Sequence, residues 1–486
     1  MCRLIPGNFG TRHCYLVSYR PINERTDVLS IKWFNLSGPI FLKLGQWAST
    51  RRDLFPDELC SHLSRLQRCT RPHSALHTVR LFRRAYGPHW DNIFVKFSND
   101  GDPIGSGCCA QVYKAWINPE TVDSLTADQH VHQESKVLGF LSDVLEAVGL
   151  AGFLDSYFKP ANMLSSSSSC EGDDGLIPVA VKVLHPAIER TLRQDLSIMK
   201  GVARMVTWMF PSLHWLSLSD CVDDFAQTMK AQVDFHVEAG NLERFTHNFE
   251  SNDAVVFPRP LWALTRPYLL VETFEEGRPM QDYVSGRRRD PRLAELGINT
   301  IFKMVFEDNF VHGDLHPGNM LVQERARSGA VQKRGWLSGL RVRPRLPQAP
   351  ERRLVVLDCG IVTRLDARGE KALKAVFSAV ANNDGDRVAE LFLEHSNHQC
   401  DDPAGFKQEM RELVTAALSK NVTLQSVQVA GLLSSLFQTI TKHKVKLDGS
   451  FSSIILAMMV LEGLGRSLDP TIDVVDKAKP FLLSAM

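Results

Sequence analysis

The sequence has no C-x-x-C pair, although ten cysteines are scattered through its 486 residues. That absence argues against a disulfide framework and a zinc site, and points to reduced thiols in an intracellular compartment. Long apolar runs are missing too. The best, Ile454 to Leu461, is eight residues long and stops at Glu462, far short of the roughly 18–20 that a spanning helix needs. It reads as a buried helix. Neither charge sign is in excess, since 56 Lys and Arg meet 55 Asp and Glu for a net charge of +1. Such a chain gives no electrostatic case for nucleic acid. What is present is an ordinary globular composition, 44% apolar and 23% charged. The length suits two or three domains, or one large bilobal unit with insertions.

In residues 1–37, Arg3, Arg12, Arg20 and Arg25 outnumber Glu24 and Asp27. This is weakly like an organellar presequence, but Pro6, Gly7 and Gly10 break a clean amphipathic helix. In the next segment Phe41, Leu44 and Ala48 follow the spacing of a buried helix face. Lys43, Gln46 and Thr50 repeat that spacing on another side, which composition alone makes a solvated face. Further on, Gly105-Ser106-Gly107-Cys108-Cys109-Ala110 leads into Gln111 and Val112. It reads as a small-residue hairpin whose backbone can approach a phosphate, and equally as a plain turn. Residues 117–177 look inserted, with one amphipathic helix over about 136–158 and a Ser-rich, acidic stretch unable to bury a core.

Val179 to Leu184 is an apolar strand carrying one lysine, Lys182. A buried ammonium needs a carboxylate, a phosphate, or a strand edge from which to snorkel. A candidate carboxylate stands in the stripe Asp234, Glu238, Asn241, Phe245, spaced as one side of a helix, whose plainer reading is a solvated face. Tyr268 to Phe274, including Glu272 and Thr273, is a strand before a turn, as in a kinase hinge, and a helix follows over 291–309.

The densest chemistry lies between Phe310 and Val322. Asp314 and, five residues later, Asn319 have the spacing of a phosphotransferase catalytic loop. There the Asp takes or orients the acceptor proton and the Asn helps hold a metal. The alternative is a His/Gly/Pro-rich turn that happens to carry both. Residues 324–353 form a basic, proline-broken excursion. The strand Leu354 to Leu357 then ends in Asp358-Cys359-Gly360, the layout of an Mg²⁺ ligand that bridges nucleotide phosphates. Ala349-Pro350-Glu351 mimics a protein-kinase signature but precedes that Asp, so it is rejected. Helical patterns, including 422–444 and 451–464, fill the remainder.

These elements run in kinase order, and Lys43-x-Gly45-Gln46 with His312-Gly313-Asp314-Leu315-His316-Pro317-Gly318-Asn319 picks out a family. From about residue 38 onward the chain resembles the UbiB/aarF-domain atypical kinases, and looks closest to one of their animal paralogue groups. The resemblance implies an α+β, bilobal protein-kinase-like fold. It would have an N-terminal KxGQ helical extension (38–100), a small β-rich N-lobe (101–274) and a mostly helical C-lobe (275–486). It implies ATP and Mg²⁺ as cofactors. Asp314 would be catalytic with Lys182 and Glu238, and Asn319 and Asp358 would hold the metal. The nucleotide would meet Gly105, Ser106, Gly107, Cys108, Ala110, Gln111, Val112, Lys182, Glu272, Thr273 and Phe274. Lys43, Gln46, Gln232 and Asp234 would line the cleft.

Three positions depart from the family pattern. The alanine-rich loop is here glycine- and cysteine-containing, the Glu of Glu-x-Asp is Gln232, and the Phe after the metal Asp is Cys359. The implied function is an ATP/Mg²⁺-dependent phosphotransferase or ATPase in mitochondrial lipid or coenzyme Q metabolism. Its partners would be nucleotide, a lipid or coenzyme Q precursor and a membrane surface, with no nucleic acid. Two rivals are a Ser/Thr protein kinase, which the missing Ala-Pro-Glu segment disfavours, and a catalytically silent nucleotide- or lipid-binding scaffold.

Overall fold

The computed structural model describes residues 39–50, 59–60, 63, 72–125, 175–211, 217–285, 290–325, 351–395, 400, 402–419, 429–445, 449–472, 477 and 481. The N-terminal segment 1–37, the helix expected over 136–158 and most of the basic excursion lie outside them.

The smaller lobe is built on a five-stranded antiparallel sheet. Helices α1 (Pro39–Thr50) and α2 (Ala75–Tyr86) come first, followed by strands β1 (Phe94–Phe97), β2 (Gly105–Ser106) and β3 (Ala110–Ile117). A short α3 (Pro119–Leu125), then β4 (Ile177–Leu184), β5 (Val255–Val256) and β6 (Leu269–Thr273) complete the strands of this half. The sheet order is β1-β3-β4-β6, with β2 on β3, while β5 joins another sheet.

The two-residue period of a strand gives this sheet two different faces. Tyr113, Ala115 and Ile117 of β3 and Val179, Val181 and Val183 of β4 bury with Phe82, Trp90, Phe94 and Phe97 in one outer core. Phe82 stacks on Phe94 at 5.0 Å between centroids. Rings so buried each stabilise the lobe by about 2–3 kcal/mol. Val112 and Lys182, paired across β3 and β4, face the other way, into the cleft. The boundary expected at residue 100 is corrected here. β1 pairs with β3 and α2 supplies Phe82 to the outer core, so residues 75–100 belong to the smaller lobe.

Helices α4 (Ile188–Met209) and α5 (Leu218–Gln232) pack on each other between β4 and α6 (Phe235–Asn248). Asp234 caps α6, its side chain accepting from the His236 N–H. The stripe read from the sequence is corrected accordingly. Asp234 lies outside the helix, and Phe245 is core, stacked on Phe257 at 4.9 Å.

The larger lobe is mostly helical. It runs through β7 (Arg278–Pro279), α7 (Met280–Ser285) and α8 (Pro291–Phe302), which continues into a π-turn at Lys303–Glu307. Asp290 caps α8 by accepting from the Leu293 N–H, with Pro291 at the first helical position. Then come β8 (Val311–His312), β9 (Met320–Arg325), β10 (Glu351–Val356) and β11 (Val362–Thr363). Helices α9 (Ala367–Ala381), α10 (Gly385–His395), α11 (Pro403–Ser419), α12 (Val429–Lys442) and α13 (Gly449–Leu468) close the lobe. The ends of the basic excursion are strand, since Glu324 and Arg352 are partners in the β9–β10 ladder. Ile454, Ile455 and Met458 of α13 are buried, as expected of the longest apolar run. No helix of the described residues is long and apolar enough to cross a membrane.

Candidate active site

Lys182 stands at the centre of the cleft. Its Nζ lies 2.8 and 3.0 Å from the two carboxylate oxygens of Glu238 on α6, and 2.8 Å from Oδ1 of Asp358. Burial alone would lower its pKa, but Asp358 and Glu238 outweigh burial and raise it. One ammonium cannot neutralise two carboxylates. Burial pushes Asp358 up, yet Lys182 prevails and holds it below its ordinary value. Glu238, only 3% exposed, is pushed up to about 7 by burial and by Asp358, against the pull of Lys182.

The loop after β8 is locked from within. His312 is fully buried, and its two ring nitrogens lie 3.1 Å from the Leu357 carbonyl and 3.2 Å from the Asp314 N–H. Burial lowers its pKa, so the ring is neutral and can donate at one nitrogen and accept at the other. Asn319 Nδ2 donates to the Asp314 carbonyl at 3.0 Å, and the Leu357 N–H donates to the Asn319 carbonyl. The Asp314 loop and the strand end that carries Asp358 are thus tied through one amide residue. Gly313 permits the close approach, because a Cβ there would sit 2.6 Å from Ile361 Cγ2. Asp358 adopts φ of +57°, left-handed backbone that Asp tolerates better than most residues. Strain of this kind persists where the surroundings over-determine it. Asn241 on α6 helps, donating to the Cys359 carbonyl at 2.9 Å.

Helix α1 roofs the loop. Lys43 Nζ is 4.0 Å from Asp314 Oδ2, and Gln46 Nε2 is 4.0 Å from Cys108 Sγ. Burial works to lower the Lys43 pKa, but Asp314 and its neighbours prevail and raise it. Beneath the helix lies a cavity of about 740 Å³, lined by Lys43, Gln46, Gln232, Asp314, Asn319 and Asp358 among others. Thr228, Arg364 and Gln227 also line it. No pattern in the sequence singled these three out, because Gln227 and Thr228 are faced by the packing of α5 and Arg364 lies just beyond β11. Gln232 does not pair with Lys43. Its Oε1 is buried with no hydrogen-bond partner.

The loop expected to meet nucleotide is a tight hairpin, Gly105 and Ser106 pairing with Val112 and Gln111 while the Gly107 N–H donates to the Ala110 carbonyl. Cys108 and Cys109 at its tip are buried, and burial raises both thiols. Gln111 needs correction as a nucleotide contact. Its side chain is fully buried on the outer face of β3, where Oε1 accepts from the His73 N–H at 2.9 Å. Thr273 and Phe274 stand at the hinge, the Thr273 hydroxyl accepting from the Arg259 N–H at 2.9 Å. Glu272 pairs with Ala180 two positions from Lys182, so its carboxyl faces the cleft. Burial, then Glu238, pushes it up to about 8, with Lys182 opposing. Asp234 is engaged as the α6 cap and is not among the cavity-lining residues.

The donor set suits Mg²⁺. Asp358 offers a carboxylate and Asn319 an amide oxygen, hard oxygen ligands that substrate phosphates and water commonly complete. A β-rich lobe and a helical lobe closing on a lysine, a helix carboxylate and two cleft aspartates define a kinase-like protein. Residues 171–392 match the ABC1 atypical kinase-like domain and residues 411–473 the UbiB helical domain. The chain belongs to the ABC1/UbiB family of atypical kinase-like proteins. A mitochondrial ABC1 family protein of Schizosaccharomyces pombe is 30% identical over 473 residues, covering 92% of this chain and 64% of the relative. The UbiB protein of Azotobacter vinelandii is 27% identical over 449 residues, covering 92% and 68%. The chain therefore spans about two thirds of the length of these relatives. A Mycobacterium tuberculosis protein solved in complex with erythromycin shares the fold, with a TM-score of 0.51 at 16% identity over 94% of this chain and 95% of its own.

Proposed function

We propose that the chain is an ATP- and Mg²⁺-dependent phosphotransferase or ATPase acting in mitochondrial lipid or coenzyme Q metabolism. The observation that carries the proposal is Lys182, bonded at once to Glu238 and Asp358 beside the Asp314–Asn319 loop. Lys182, set by Glu238, neutralises nucleotide phosphate, and the hairpin from Gly105 to Ala110 presents its backbone to the same phosphates. When bound, Mg²⁺ held by Asn319 and Asp358 offsets charge on the phosphate oxygens. Asp314 orients the attacking hydroxyl or water and accepts its proton. Positioning and electrostatics supply most of the catalysis in such a site.

The pathway assignment rests on the UbiB relationship, and a lipid or coenzyme Q precursor is the substrate class that goes with it. The mitochondrial ABC1 relative supports a mitochondrial location for this chain. A Ser/Thr protein kinase is disfavoured, because α1 sets Lys43 beside Asp314, where a peptide hydroxyl would have to arrive.

The test is Asp358→Asn. Mg²⁺-dependent nucleotide turnover should fall at least about 100-fold, the scale seen when a preorganised electrostatic contact is removed. Unchanged turnover overturns the site assignment. A wild-type protein with no thermal shift in Mg-ATP overturns the nucleotide reading altogether.

A further inference from the structure

Behind the nucleotide loop lies a second polar cluster that the proposed chemistry does not use. His73, just before α2, and His185, just after β4, bring their Nδ1 atoms within 2.7 Å of each other. On its far side, His73 Nε2 is 3.0 Å from Thr78 Oγ1, and that hydroxyl is 2.8 Å from the Tyr113 hydroxyl. Gln111 Nε2 meets the same Tyr113 hydroxyl. At the other end, His185 Nε2 is 2.9 Å from the Gly107 carbonyl oxygen.

The Gly107 end fixes the direction of every link. Its carbonyl can only accept, so a neutral His185 carries its proton on Nε2 and accepts at Nδ1. A neutral His73 consequently carries its proton on Nδ1, donates to His185 Nδ1 and accepts at Nε2 from Thr78. Thr78, its one proton already given to His73, accepts from Tyr113. The other end is compatible: the His73 backbone N–H can only donate, so the Gln111 oxygen is its acceptor and the Gln111 amino group donates to the Tyr113 oxygen. Burial lowers the pKa of both rings, which keeps them neutral.

We infer that this one-directional chain fastens the nucleotide loop to α2, and that His73 and His185 are positioning residues for that loop. The consequence for nucleotide affinity rests on the function proposed above; the hydrogen-bond chain itself does not. Beside that contact, the His185 N–H donates to the Cys109 carbonyl at 2.8 Å, and the Gly107 N–H closes the hairpin on the Ala110 carbonyl. Holding the Gly107 carbonyl from behind limits the conformations that the phosphate-facing backbone must lose on binding.

Nitrogen-15 NMR of the full chain reads the tautomers directly. His73 should be the Nδ1–H form and His185 the Nε2–H form, both neutral at pH 7; the opposite tautomer or a charged ring at either position overturns the chain. Hydrogen exchange supplies a readout free of nucleotide. Amides 106–110 should exchange faster in His185→Ala than in the wild type, and His185→Gln, whose amide reaches about as far as Nε2, should restore much of the protection. Protection unchanged in His185→Ala overturns the positioning role. In turnover assays His185→Ala should raise the nucleotide KM about fivefold, the scale of one neutral hydrogen bond, with kcat changed less. An unchanged KM with faster exchange separates the two ideas: the anchor stands, and the loop's part in nucleotide binding fails.

Discussion

Two buried polar networks lie on opposite sides of one sheet, and they are built on opposite principles. In the cleft, Lys182 is shared by Glu238 and Asp358, with Glu272 a step further along β6. Behind the loop, Gln111, Tyr113, Thr78, His73 and His185 form a chain without a formal charge. Buried charge is stable only while its pairing is intact, so the first network is sensitive to pH, cations and single substitutions. The second satisfies each group by direction alone and responds to little. A nucleotide site needs the first kind, because its charges must exchange partners when phosphate and metal arrive. A scaffold for that site is better served by the second.

The sharpest way to break the contrast is Lys182→Ala. It leaves the buried Glu238 without its cation beside the partly exposed Asp358, which should destabilise the fold by about 3 kcal/mol in denaturant titration, after allowance for solvent screening at Asp358. Adding Glu238→Gln should recover a large part of that loss, since one of the two unpaired charges is gone. A double variant no more stable than the single would show that packing, and not charge, holds the cluster. The acid limb follows with a definite sign. Asp358 sits below its ordinary value, so its contribution is present above the unfolded pKa near 3.8 and is lost as pH falls through the folded one.

Glu272→Gln tests the same network from the other direction. The folded pKa of Glu272, about 8 against 4.5 when unfolded, is raised. Between those values the unfolded chain loses a proton that the folded chain keeps, so rising pH favours unfolding. Glutamine removes the penalty. The variant should gain on the order of 2 kcal/mol over the wild type near pH 8, after allowance for solvent screening, with the gain vanishing below about pH 4.5. A gain independent of pH would mean that the carboxyl is not held neutral by its surroundings.

The charged network was the more legible of the two in the sequence, and the reason is local geometry. Lys182 on an apolar strand, Asp314 and Asn319 in one turn and Asp358 before a glycine each announce themselves within a few residues. Everything that depended on facing or partnering was harder. Spacing cannot distinguish a helix cap from the first turn, so Asp234 was placed in a stripe that α6 does not contain. The side of β3 on which Gln111 falls is set by register against β4, not by its neighbours. Helix α2 and β1 join the smaller lobe through contacts with strands that come later in the chain. His73 and His185 are 112 positions apart, and only the pairing of β3 with β4 and the seat of α2 bring them together.

The smallest effect is the one that best separates the networks. Tyr113→Phe removes one hydroxyl from the neutral chain while keeping the ring that fills the outer core. Thr78 can still donate to His73, so the tautomers downstream are kept, and the hydrogen bonds lost are the two that the hydroxyl makes, with the Gln111 amino group and with the Thr78 oxygen. The expected loss is about 1–2 kcal/mol, the net value of two neutral hydrogen bonds. Burial raises the Tyr113 pKa from its ordinary value near 10, so no charge forms between pH 6 and 9. The loss should therefore be flat across that range and insensitive to added salt, whereas the Glu272→Gln gain grows with pH. A Tyr113→Phe penalty that varies with pH would place a titrating group inside the chain, and the division of the sheet into a charged and a neutral side would fall.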